Sequence, residues 1–120
     1  MRLTMALAAV ALAITPAFAE NWDFILINAA GKPIKLVELS PAGANSWKAS
    51  LKEEDVADRG PVKVNGRMTV RLDKPASQCR YDIKATFTDD TTQVWSGVNI
   101  CDNSYVTVRL VGDKATITVN

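Results

Sequence analysis

Tyr105-Val106-Thr107-Val108-Arg109-Leu110-Val111-Gly112-Asp113-Lys114-Ala115-Thr116-Ile117-Thr118-Val119 is the stretch that decides the fold class. With Gly112-Asp113 as a two-residue turn, Leu110 faces Ala115, Val108 faces Ile117 and Val106 faces Val119, so each apolar residue meets another. Tyr105, Thr107 and Arg109 then share the opposite face with Thr116 and Thr118. A period of two with one apolar face is the pattern of a half-buried antiparallel pair.

Upstream of this hairpin the chain repeats the same kind of segment. Short runs rich in valine, isoleucine, threonine and aromatics occupy 23–28, 34–39, 68–72, 80–88 and 93–101, ahead of 105–110 and 115–119, with Gly, Pro, Asn and Asp between them. No long apolar pattern of helical period interrupts them. The expectation is an all-β domain: a small antiparallel β-sandwich of about seven strands and Ig-like size, rather than a closed barrel. Residues 46–58 are more polar and leave room for one helical turn. Asn65-Gly66 does not close a two-residue hairpin, because that would set Val62 against Thr69 and Val64 against Arg67. It reads as the turn that launches the strand at 68–72.

The pairing of 80–88 with 93–101 is open to two registers. A three-residue loop at Asp89-Asp90-Thr91 sets Cys79 opposite Cys101, Ile83 opposite Gly97 and Ala85 opposite Trp95. A four-residue loop shifts everything by one, so that Phe87 meets Val94, Ile83 meets Val98 and Tyr81 meets Ile100, with Trp95 on the other face. Both hold only with a bulge, for which Gly97 is the natural place. Residues 94–100 are apolar on both parities, which reads as an interior strand covered on both faces.

The chain opens with Arg2, an apolar run over 3–14, Pro16 and Ala17-Phe18-Ala19. That is the pattern of a secretory signal peptide, cleaved after Ala19. The run falls short of the ~20 apolar residues that span a bilayer as a helix. The expected organisation is a signal peptide over 1–19 and one β-sandwich domain over 20–120, with no membrane span after cleavage and a periplasmic or secreted location. Removing 1–19 takes away Arg2 and leaves 13 basic against 13 acidic side chains. Without a basic excess or a basic run, neither nucleic acid nor a polybasic membrane contact is expected. Cys79 and Cys101 are the only cysteines, and an oxidising compartment pairs them. Closing that loop is worth roughly 3 kcal/mol in the chain-entropy account. A redox pair would ordinarily sit at C-x-x-C spacing, so the bridge is read as structural.

Four blocks carry a resemblance: Asp23-Phe24-Ile25-Leu26-Ile27-Asn28 closing on Gly31; Ser40-Pro41-Ala42-Gly43 leading to Trp47; Cys79-Arg80-Tyr81-Asp82-Ile83 running to Phe87 and Asp89; and Asn99-Ile100-Cys101. Together they resemble a family of small exported bacterial β-rich proteins of unknown function. This sequence departs from the family pattern in the first turn, which reads Asn28-Ala29-Ala30-Gly31, and before the tryptophan, where Ser46 stands in place of aspartate. The resemblance implies an exported β-domain with the Cys79 to Cys101 bridge, and it supplies no activity.

Histidine is absent, which removes Ser-His-Asp and Cys-His catalysis, the usual zinc and copper sites and the commonest general base. Ser46, Lys48 and Ser50 lack the S-x-x-K spacing of a serine–lysine pair. Glu53-Glu54-Asp55 with Asp58 lacks the alternating spacing of a calcium loop, and Lys48, Lys52 and Arg59 flank it, so it reads as a solvated turn. Asp89-Asp90 reads as a hairpin tip. Of the tryptophans, Trp95 is expected in the core near the disulfide and Trp22 over one end of the sandwich. Trp47 either plugs the core from a loop, the favoured role, or stands exposed as the first candidate for a partner contact.

These readings converge on an exported, non-catalytic binding or structural module, with no catalytic residue, metal or cofactor assigned. Its expected partner is an envelope or secreted protein; ligand and oligomeric state stay open. The alternatives are a proteinaceous inhibitor of a secreted hydrolase that inserts the loop 40–47, and a small hydrolase using two carboxylates.

Overall fold

The computed structural model describes residues 20–51 and 60–120, and the expected signal peptide and the acidic cluster at 53–58 lie outside them. Eight strands follow in order: β1 Glu20–Ala29, β2 Ile34–Pro41, β3 Lys48–Leu51, β4 Arg67–Lys74, β5 Arg80–Phe87, β6 Thr92–Asn99, β7 Tyr105–Val111 and β8 Lys114–Val119. They form two four-stranded sheets, β4-β1-β7-β8 (sheet I) and β3-β2-β5-β6 (sheet II). The domain is an all-β sandwich with one disulfide, with one strand more than the seven expected.

Each sheet buries one face because its strands alternate. Phe24, Leu26 and Asn28 of β1 point inward, as do Val37 and Leu39 of β2, Ile83, Ala85 and Phe87 of β5, and Val106 and Val108 of β7. Together they make one continuous core. The β7–β8 hairpin has the expected register, with Leu110 opposite Ala115, Val108 opposite Ile117 and Val106 opposite Val119. Gly112 takes φ +62°, the left-handed conformation this two-residue turn requires. The turn at Asn65 likewise launches β4: Asn65 has φ +66°, and its amide bonds the Asn28 carbonyl at 2.7 Å.

Four features depart from expectation. The sheets are antiparallel except where β1 runs parallel to β7, pairing Ile25 with Tyr105 through Ala29 with Arg109. The polar segment 46–58, which left room for one helical turn, opens with strand β3, which pairs with β2 at the edge of sheet II, and its remainder lies outside the described residues. β6 is an edge strand and not an interior one, and Val94 is 39 % exposed. Finally, the β5–β6 loop is Thr88-Asp89-Asp90. It closes with Phe87 N to Thr91 O at 2.9 Å, which places Ile83 opposite Trp95 and Ala85 opposite Gln93.

Beyond that point a bulge changes the register, pairing Tyr81 with Val98. Gly97, at φ +65°, sits in the bulge, as its flexibility suggested. Inward residues on β6 therefore switch parity, from Trp95 before the bulge to Val98 and then Ile100 after it. Two-parity hydrophobicity came from this switch and not from burial on two sides. The same shift puts Cys79 opposite Ile100, whose amide it accepts at 3.0 Å, so the disulfide to Cys101 runs diagonally with Cα atoms 5.2 Å apart.

Candidate binding cleft between the sheet edges

β3 and β4 are edge strands of different sheets, and each pairs on one side only among the described residues. A cleft of about 530 Å³ opens between the two edges. That is within the ~300–1,000 Å³ of ordinary ligand pockets. Leu39, Leu72 and Tyr81 supply its apolar floor, and Lys48, Arg71 and Asp73 stand at its rim. Burial pushes the Tyr81 hydroxyl up from its usual pKa, so it stays a protonated donor at neutral pH. Lys48 and Arg71 make no ion pair among the described residues, and both are exposed. A second hollow of about 400 Å³, lined by Trp22 and Asp23 among others, shares Arg71, Leu72 and Asp73. The outward side chains of β4 thus stand between two concavities.

Trp47 takes neither of the positions expected for it. Lys84 and Glu38 alternate with core residues on β5 and β2, so they lie on the outer face of sheet II, where they approach to 3.9 Å. The Lys84 ammonium is 4.6 Å from the centre of the Trp47 ring. The indole is half-buried against this outer face, roofed by a cation and outside the core. The loop before it is tied down at three points. Ala42 N bonds Arg80 O at 3.0 Å, Gly43 N bonds Asp82 Oδ2 at 3.0 Å, and Ser46 N bonds the Oγ of the fully buried Ser40 at 2.9 Å.

The disulfide end has a different occupant from the one foreseen. Trp95 sits in the core, but its Nε1 bonds the Arg109 carbonyl at 3.1 Å, joining β6 to β7 across the sandwich. The tryptophan beside the bridge is Trp22. Its ring stacks at 3.6 Å on the Nζ of Lys74, a lysine with no solvent exposure, and that Nζ also reaches Cys101 Sγ and the Pro75 carbonyl, each at 3.3 Å. Desolvation lowers the Lys74 pKa, and the nearby Glu20 carboxylate opposes the shift. Trp22 therefore closes one end of the sandwich, as its place in the sequence suggested, while its own Nε1 is buried with no partner among the described residues.

The structure thus joins Cys79 to Cys101, and it leaves Trp47 near the cleft without making it part of the lining. It adds Lys48, Arg71 and Lys74, none of which sequence reasoning singled out for binding. Lys74 had a visible signal. It occupies the inward parity of Val70 and Leu72, where a charge needs a partner. Asp89 and Asp90 form the β5–β6 tip, paired with Lys32 at 2.9 Å and with Lys35. Among the described residues no three His, Cys, Asp or Glu side chains gather as a metal site. No helix among them is long and apolar enough to cross a membrane.

No family model matches the chain, and no curated protein matches it. A solved structure does: the NMR structure of a protein from Eubacterium rectale, with a TM-score of 0.57 over 83 % of this chain and 88 % of the other. Identity is 10 %, so the likeness concerns the fold alone. The disulfide fits an oxidising, non-cytoplasmic setting.

Proposed function

We propose that this chain is an exported, non-catalytic binding module of the periplasm or extracellular space, which takes an extended acidic peptide segment of an envelope or secreted protein into the β3–β4 cleft. The observation that carries this reading is the pairing of two strand edges with two cations, Lys48 and Arg71, that make no ion pair among the described residues, over a floor of Leu39, Leu72 and Tyr81. A strand edge offers its free backbone groups to an extended chain, side-chain pockets select alternate residues, and the two cations favour carboxylates. Calorimetry with extended peptides of graded acidity tests the proposal. Acidic members bind, neutral and basic ones do not, and the double variant Lys48→Ala with Arg71→Ala loses most of the affinity. Equal binding of acidic and neutral peptides, or full affinity in the double variant, contradicts it.

One observation favours the inhibitor reading. The exposed loop 42–46 is pinned to Ser40, Arg80 and Asp82, and such rigidity lowers the entropic cost of entering a cleft. It lies against the sheet, however, with Trp47 half-covered by Lys84, and that reading ranks second.

A further inference from the structure

We infer that the Cys79–Cys101 bridge is a directional thiol-exchange site, in which an incoming thiolate attacks Cys79 and Cys101 departs as a thiolate held by the Lys74 ammonium. The two sulfurs have unlike surroundings. Cys101 Sγ receives Lys74 Nζ at 3.3 Å, whereas Cys79 Sγ has no cation beside it among the described residues. The Lys74 head is held in a cage of three acceptors, the Pro75 carbonyl, Cys101 Sγ and the face of Trp22, which match its three N–H donors. The side chain is covered by its neighbours, so its charge lies directly against the sulfur. The Ala76 carbonyl lies 3.7 Å from Cys79 Sγ and 3.9 Å from Cys101 Sγ and so does not distinguish them. The Gln78 carbonyl, 3.9 Å from Cys101 Sγ, opposes with a dipole where Lys74 acts with a full charge at shorter range.

Thiol–disulfide exchange expels the sulfur whose thiol is the stronger acid, and an adjacent lysine makes a thiol more acidic. In the forward step the incoming thiolate forms a bond to Cys79 Sγ. The Sγ–Sγ bond breaks, and its electron pair stays on Cys101 Sγ beside Lys74. The external thiol's proton goes to solvent. In reverse, the Cys101 thiolate attacks Cys79 Sγ of the mixed disulfide, closes the bridge and releases the external thiolate; by holding Cys101 as a thiolate, Lys74 stabilises the open form relative to the closed one. The substrate class is a low-molecular-weight monothiol, small enough to approach two cysteines that are each half-buried.

The test treats the oxidised, folded protein with sub-stoichiometric reduced glutathione, quenches with acid and maps the mixed disulfide by peptide mass spectrometry. Glutathione is expected on Cys79 over Cys101 by about tenfold or more, the bias that a cation beside one leaving thiolate gives. Lys74→Met is expected to bring the ratio to within about twofold, and Lys74→Arg to preserve the bias. Equal labelling, predominance on Cys101, or no mixed disulfide in the folded wild type overturns the inference. Should Lys74→Met fail to fold, the wild-type partition alone decides.

Discussion

Asp82 Oδ1 accepts the amide of Gly97 at 2.9 Å, so a carboxylate on β5 fills the gap that the bulge opens in β6. Its other oxygen accepts Gly43 N at 3.0 Å, and the side chain is 7 % exposed. One residue thus fixes both the strand register and the loop leading to β3. Asp82→Ala leaves two backbone donors without their charged acceptor and is expected to cost about 3 kcal/mol. Asp82→Asn, which keeps an acceptor oxygen, is expected to cost less. Urea unfolding curves check both; a loss under about 1 kcal/mol for the alanine variant contradicts this role.

Gly97 itself carries a conformational requirement. A Cβ there would meet no atom within 4 Å, so the constraint lies wholly in its φ of +65°. Gly97→Ala is expected to lose about 1 kcal/mol and Gly97→Asn less, because asparagine tolerates the left-handed region. Equal losses would show that space, and not backbone conformation, sets the preference.

The bond from Trp95 Nε1 to the Arg109 carbonyl crosses between the sheets. Trp95→Phe removes that donor together with part of the core volume and is expected to cost about 1–3 kcal/mol. In a domain of this size that lowers Tm by about 4 °C or more. An unchanged thermal midpoint in calorimetry would remove the bond from the account of how the sheets are held.

Asp89 ties acid stability to the β5–β6 tip. A hydrogen bond from the Thr91 hydroxyl, helped by the Lys32 ammonium and the Thr91 amide, lowers its pKa from 3.8 to about 2. Because the folded value lies below the unfolded one, the stabilisation is complete only above the unfolded value and is lost as pH falls from there through about 2. The exposure of the Asp89 side chain to solvent keeps the effect small. Thr91→Val is expected to move the Asp89 midpoint upward toward 3.8 in a carboxyl-carbon NMR titration, and an unmoved midpoint contradicts the assignment.

What the sequence made legible follows from how local the signals are. The β7–β8 hairpin was readable to the residue because turn chemistry and alternation agree over one uninterrupted stretch. β3 was not, since Lys48-Ala49-Ser50-Leu51 has weak β propensity and forms only by pairing with β2 at an edge. β6 was misread because the Gly97 bulge puts apolar residues on both parities of a strand that is buried on one face. The resembling blocks contain side chains that organise loops: Asn28 bonds Lys32 O, Val62 O and the Ala30 amide, and Asn99 caps the Cys101 and Asp102 amides. Ser40 and Asp82 pin the 42–46 loop in the same way. The cleft left no trace in the sequence, because its floor and rim come from four separated segments that share no local pattern.

The most direct test of the binding account is an amide chemical-shift map of the folded, oxidised domain titrated with an extended acidic peptide. The account predicts saturable shifts concentrated on Lys48, Ala49 and Ser50 of β3 and on Arg71, Leu72 and Asp73 of β4, the two edges that face the cleft. Shifts confined to Lys84, Glu38 and Trp47 on the outer face, or no saturable shift at all, would contradict it.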